Sequence, residues 1–302
     1  MMDAVVFGNA TLDIICKTVD DVPRHESLVF DQVVVSPGGC GSNVAVGLCA
    51  LGVPTALVGC IGSDAAAGML RSFWDRFHLD QRYVRVVADR PTGTSVGLVD
   101  SDLQPRFIHT PGANGTLTVD ALDLLTLAAE GARWLHIGGY FVMPGVLDGR
   151  LPATLSQAQS LGLCTSLDVV RSKRMHDPSS LWPCMPYLDV FLCNSHEAWR
   201  VTGEERPQDA AQVLRRSGVK SVIVKTGAQG CWLDCQEYIG QISAPQVEVV
   251  DTTGAGDAFA AGLIQALLAG KTLEQACHAG NTAGARMVGA LGALGGWLKD
   301  AS

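Results

Sequence analysis

The chain has 302 residues, 47% of them hydrophobic, and 30 acidic side chains outnumber 22 basic ones for a net charge of −8. The apolar content can fill a large core, and the length suits two average domains or one large α/β domain. The acidic balance excludes the basic footprint of a nucleic-acid binder and the basic clusters that an anionic membrane surface attracts. Ten cysteines are scattered along the chain, and the one close pair, Cys231 and Cys235, has no second pair to complete a zinc site. No basic leader precedes the apolar run at residues 4–8 and no long apolar segment follows, so a reducing cytoplasm is expected.

In chain order, residues 5–7 read as a short buried strand, and 28–35 as a β-branched stretch with imperfect alternation. Pro37-Gly38-Gly39-Cys40-Gly41-Ser42-Asn43 is a glycine turn leading into a helix at 44–51. A strand at 56–61 and a helix at 65–78 follow, then a hairpin pairing 94–99 with 106–109. Thereafter helices at 118–130, 149–161 and 207–217 alternate with strands at 134–137, 163–168, 189–193 and 221–225, and a short β run begins at Cys231. Such alternation predicts a mostly parallel sheet covered on both faces. The β-rich pieces at 12–35 and 93–110 interrupt it and are expected to form a small separate sheet. The body would then comprise 1–11, 36–92 and 111–302.

The densest chemistry lies at Val249-Val250-Asp251-Thr252-Thr253-Gly254-Ala255-Gly256-Asp257. It reads as strand, glycine turn and buried helix, with unpaired backbone N–H groups where the helix dipole favours an anion. Asp257 in the first helical turn either complements that dipole or serves as a general base beside an anion hole. Other candidates are Asp13, Asn194 with Glu197, and Lys225-Thr226-Gly227 with Gly230, which fall at strand ends, and the 38–43 turn with Asn43, where glycines let the backbone approach a polar ligand. Each has a local alternative; Asn194 and Glu197, for example, could simply form a capping box. Two nucleotide fingerprints fail. Gly39-Cys40-Gly41 lacks the third glycine of the dinucleotide pattern, and Gly270-Lys271-Thr272 stands where a helix ends rather than begins.

Taken together, the 37–43 and 251–257 motifs resemble the two signatures of the ribokinase-like, or PfkB, family of carbohydrate and nucleoside kinases, over nearly the whole chain. The resemblance implies an α/β/α body with a β-sheet lid, ATP, Mg²⁺ and transfer of the γ-phosphate to a sugar hydroxyl. It implies Asp257 as base and the N–H groups of Gly254, Ala255 and Gly256 as the anion hole. Asp13, Gly38, Gly39, Asn43 and Arg171 would face the acceptor. Asn194, Lys225, Thr226, Gly227, Gly230 and Asn281 would face the nucleotide. Glu197 would act on the magnesium through water, and Asp251 and Thr253 would hold K⁺. The ribokinase pattern has a lysine where this chain has Cys40, which leaves the acceptor open: a nucleoside kinase or a silent binding protein on the same fold are the alternatives. An exposed lid edge makes a homodimer reasonable.

Overall fold

The computed structural model describes residues 2–102 and 105–298; Met1, residues 103–104 of the expected lid and the 299–302 end of the expected body lie outside it. The strands in chain order are β1 (Ala4–Gly8), β2 (Thr11–Lys17), β3 (Gln32–Gly38), β4 (Thr55–Ile61), β5 (Val84–Val86), β6 (Gly93–Val99) and β7 (Pro105–Thr110). After them come β8 (Trp134–Gly138), β9 (Cys164–Asp168), β10 (Val190–Asn194), β11 (Val222–Lys225), β12 (Cys231–Asp234) and β13 (Ile239–Ile242). The α-helices are α1 (Cys40–Ala50), α2 (Ala65–Arg76), α3 (Leu124–Ala129), α4 (Leu151–Ser160), α5 (Ser195–Thr202), α6 (Pro207–Arg216), α7 (Ala255–Leu268), α8 (Leu273–Val288) and the short α9 (Gly295–Leu298).

The large sheet has the order β13-β12-β11-β10-β9-β8-β1-β4-β5. It is parallel from β5 to β11 and antiparallel at β12 and β13. Successive strand residues point to opposite faces, and here both faces are covered. Thus Phe7, Leu135 and Phe191 join the core on one side with Leu155 and Leu214. Val6, Leu57 and Leu192 join Trp74, Leu263 and Ile264 on the other. That double burial explains why the strands read as continuous apolar runs. The side chain of Phe7 is fully buried, so Phe7→Ala would cost about 3–5 kcal/mol in lost transfer energy and cavity.

A second sheet, ordered β3-β2-β6-β7, stands apart from the first. The chain passes from β1 into β2 through Asn9-Ala10 alone. The Asn114 carboxamide grips that crossing, accepting from the Ala10 amide at 3.0 Å and donating to the Ala10 carbonyl at 2.7 Å and to Pro111 O at 3.0 Å.

Four expectations need correction. The helix expected at 118–130 is a 3-10 turn at Val119–Ala121 and then α3, because Asp123 accepts from the Thr126 amide and starts a new helix there. No strand precedes the 251–257 turn: the Val250 and Asp251 amides donate to the Val288 carbonyl instead of to a sheet neighbour. Residues 28–31 are outside any strand, and β3 runs on to Gly38. Both glycine-turn helices begin earlier than expected, directly after Gly39 and Gly254, whose positive φ values of 85° and 77° turn the chain into them.

Candidate active site

One cleft of about 550 Å³ lies across the carboxyl ends of β9, β10 and β11 and the start of α7. Its polar floor is Asp168, Asn194, Glu197, Lys225 and the 254–257 turn, and its far wall is Ala244, Pro245, Val249, Phe259 and Val288. The glycine turn exists because the helix start is pressed against another segment: a Cβ on Gly254 would lie 2.4 Å from Ala293 O. Asp251 fastens the same junction, accepting from Thr253 N and Oγ1 on one oxygen and from Gly292 N on the other. Within the turn, the Ala255 amide donates to Thr252 O at 3.3 Å, while among the described residues no acceptor meets the Gly254, Gly256 or Asp257 amides. Those amides and the helix dipole make a site for negative charge.

Asp257 stands half-buried at that point and accepts from Asn43 Nδ2 at 2.8 Å. Burial pushes its carboxyl up to about 6, with the Asn43 bond pulling the other way. Glu197 is buried and pushed up to about 7 by desolvation, which Lys225 opposes. Lys225 Nζ donates to Asp168 Oδ2 at 2.7 Å. Burial disfavours the ammonium charge, but the Asp168 and Glu197 carboxylates outweigh it and hold the lysine above its ordinary range.

The structure therefore brings Asp257, Gly254, Ala255, Gly256, Asn194, Glu197, Lys225, Gly227, Gly230 and Asn281 to one cleft, with Asn43 tied in through Asp257. The local alternative for Asn194 and Glu197 is also realised: they form a capping box at the start of α5. Asn281 Nδ2 donates to the carbonyls of Ile242 and Ser243, fixing the segment that continues into the cleft wall. Asp13 is on β2, packed on Gly38 with Thr11 Oγ1 donating to it at 2.8 Å, and burial pushes it up to about 6. Asp13, Gly38, Gly39, Thr226, Asp251 and Thr253 do not line the cleft. Arg171 is elsewhere, in a separate hollow of about 210 Å³ with Lys173, His176 and Arg200. Asp168 is not among the candidates taken from the sequence; its position at the end of β9, as Asn194 ends β10 and Lys225 ends β11, was the available signal.

A parallel sheet carrying a carboxylate beside unpaired helix-start amides, with a small second sheet alongside, defines a class of α/β enzymes built to handle an anion. Residues 1–299 match the model of the pfkB family of carbohydrate kinases, and the chain belongs to that family. It is 30% identical to ribokinase of Arabidopsis thaliana over 96% of this chain and 77% of that one. It is 28% identical to probable fructokinase-7 of the same plant, over 89% and 80%. The solved structure of Arabidopsis thaliana ribokinase complexed with ribose and ATP superposes with a TM-score of 0.84, at 27% identity over 100% of this chain and 99% of that one. The chain is thus a phosphotransferase with an alcohol group as acceptor. Among the described residues no helix is long and apolar enough to cross a membrane.

Proposed function

We propose that the protein transfers the γ-phosphate of ATP to a hydroxyl of a small sugar or sugar derivative. The observation that carries this is Asp257, a carboxylate with its pKa raised to about 6, standing at the unpaired amides that begin α7. A base poised near neutrality can take a hydroxyl proton, while fixed amides stabilise charge as it develops on the phosphoryl oxygens. The apolar wall formed by Pro245, Val249, Phe259 and Val288 suits a nucleobase, next to the Gly227–Gly230 loop. Asp13 and Gly38 on the second sheet, with Gly39 and Asn43 at the start of α1, would meet the acceptor, and that sheet would act as the lid that excludes water.

Mg²⁺ fits the donor set. Among the described residues no cluster of three or more ligating side chains could hold a metal unaided. Magnesium is commonly held by one or two carboxylates together with substrate phosphates. Glu197, a buried carboxylate on the floor of the cleft, is the side chain that would act on the ion through water. Bound there, the ion would neutralise charge on the triphosphate. For a monovalent cation, Asp251 and Thr253 offer oxygens beside the anion hole; a higher rate in potassium than in sodium or choline salts is expected, and equal rates would remove that assignment.

The main test is acceptor-dependent ATP consumption across hexoses, pentoses, sugar acids and nucleosides, repeated with Asp257→Asn. The expected outcome is turnover with a sugar and a loss of about 10²–10⁴-fold in kcat in the variant, the usual worth of a general base. Undiminished turnover in the variant would overturn the assignment of the base.

A further inference from the structure

The ends of β9, β10 and β11 lie side by side, finishing at Asp168, Asn194 and Lys225. The register pairs Asn194 with Lys225, and Leu192 with Asp168. Since adjacent strands are about 4.8 Å apart, Lys225 must reach across all of β10 to meet Asp168. Its side chain is therefore laid along the top of the sheet instead of rising into solvent. The ammonium ends 3.2 Å from where a Cβ on Gly256 would stand, between the Asp168 carboxylate and the anion hole.

That arrangement is a poor device for stability. The side chains are 14% and 7% exposed, so both charges are largely removed from water. A buried ion pair commonly does no better than a well-packed apolar pair. This one is also incomplete. Among the described residues Asp168 Oδ1 has no hydrogen-bond partner and the ammonium donates to Asp168 alone. Two of its three N–H donors are left for a ligand. The cleft is lined by three carboxylates, Asp168, Glu197 and Asp257, and among the described residues Lys225 is its sole cationic side chain. Cys40 lines it too, with a thiol that burial pushes well above its usual range, so it adds no positive charge and no thiolate.

We propose that Lys225 contacts the transferred phosphoryl group opposite the amides of α7, and that Asp168 is the positioning residue that holds it there. The inference rests on the kinase reading given above. In the step, the acceptor oxygen forms a bond to the γ-phosphorus as the bond from that phosphorus to the β–γ bridging oxygen breaks. The acceptor proton passes to Asp257, and the electron pair of the broken bond leaves on the diphosphate. Lys225 keeps its proton throughout. Its contribution is a fixed positive charge facing the equatorial oxygens, where charge spreads in the transition state. Crossing from the nucleotide side of the sheet toward β9 puts that charge where donor and acceptor meet.

Removing Lys225 alone would strand Asp168 as a buried unpaired carboxylate and endanger the fold. The test is therefore the double variant Asp168→Leu with Lys225→Met, whose apolar pair can pack, alongside Lys225→Arg and Asp168→Asn. The double variant is expected to melt no lower than the parent and to bind ADP with unchanged affinity by calorimetry. Its kcat should fall about 10²–10³-fold, as for loss of one preorganised charge-stabilising group. It should also lose roughly tenfold or more of the affinity gained when aluminium fluoride is added to ADP and acceptor to mimic the transferring phosphoryl. Lys225→Arg should recover part of the rate, and Asp168→Asn should lower kcat with little change in the KM for ATP. A folded double variant with parental kcat and parental aluminium fluoride affinity would overturn the inference while leaving the kinase reading intact. A parent chain that consumes no ATP with any acceptor would overturn both.

Discussion

The two glycine turns are built from the same parts and do different work. Each puts a glycine with positive φ at the N-cap of a helix with no side-chain cap, and each helix is buried on most sides. They meet through the 2.8 Å bond from Asn43 of α1 to Asp257 of α7. At α1 the surrounding protein fills the space. The Ser42 amide donates to Asn9 O, a Cβ on Gly38 would lie 2.0 Å from Asp13 Oδ2, and one on Gly41 would lie 2.5 Å from the Gly8 Cα. At α7 Gly254 presses on Ala293 from behind, and among the described residues no acceptor meets the amides of Gly256 and Asp257, which line the cleft. The first turn brings segments close; the second, under the proposed function, keeps a place open for an anion. A glycine-rich helix start is therefore a statement about close approach, and what approaches must be read from the neighbours.

The largest separation between the turns is expected from Gly254→Ala. The new methyl would collide with Ala293 O at a backbone conformation that L residues rarely adopt. Displaced amides should lower kcat by about 10²–10³-fold, and the melting temperature should fall with it. A parental kcat in that variant would show that the amides do not stabilise the reaction. Gly38→Ala should act on the other partner. Displacing the Asp13 carboxylate is expected to raise the acceptor KM about 10- to 100-fold, the worth of a charged hydrogen bond. Nucleotide affinity should stay unchanged, and a shift in ATP affinity of equal size would dissolve the division of labour.

The smallest effect is a dependence on pH. Asp257 must be ionised to accept a proton, so kcat/KM should fall below about pH 6. The stability sign runs against function. With a folded pKa of about 6 against an ordinary 3.8, ionisation costs the folded state nothing below 3.8 and its full amount above about 6. Asp257→Asn should accordingly raise the melting temperature at pH 8 and leave it nearly unchanged at pH 4. An equal gain at both would assign the raised pKa to some other group.

Much of the body was legible because a sheet buried on both faces writes itself as apolar runs between amphipathic helices. The 251–257 turn was legible for a similar local reason: glycines and an acid at a helix start have few uses. The segment before it misled, because Val249 and Val250 favour a strand by side-chain type but have no sheet edge beside them. Local spacing showed Asn194 and Glu197 as a capping box or as ligands, and the structure lets one carboxylate cap the helix while lining the cleft. The direction of Lys225 was not legible. It is set by Asp168, 57 residues earlier, and no local pattern carries a pairing of that range. The surroundings of Arg171 were not legible for the same reason, since the hollow it lines is made partly by Arg200 on a different element.

The grip of Asn114 on Ala10 has a mechanical consequence. If the small sheet turns about that point, Asp13 lies only three residues, about 10 Å, along the strand from the pivot, and Lys17 about 23 Å. A swing of about 10° then shifts Asp13 by about 2 Å and the far rim by about 4 Å, by simple leverage on that strand rise. Under the proposed function, a lid turning there would open its rim about twice as far as it moves the acid that meets the acceptor, so admission and grip would be separated by distance along a single strand.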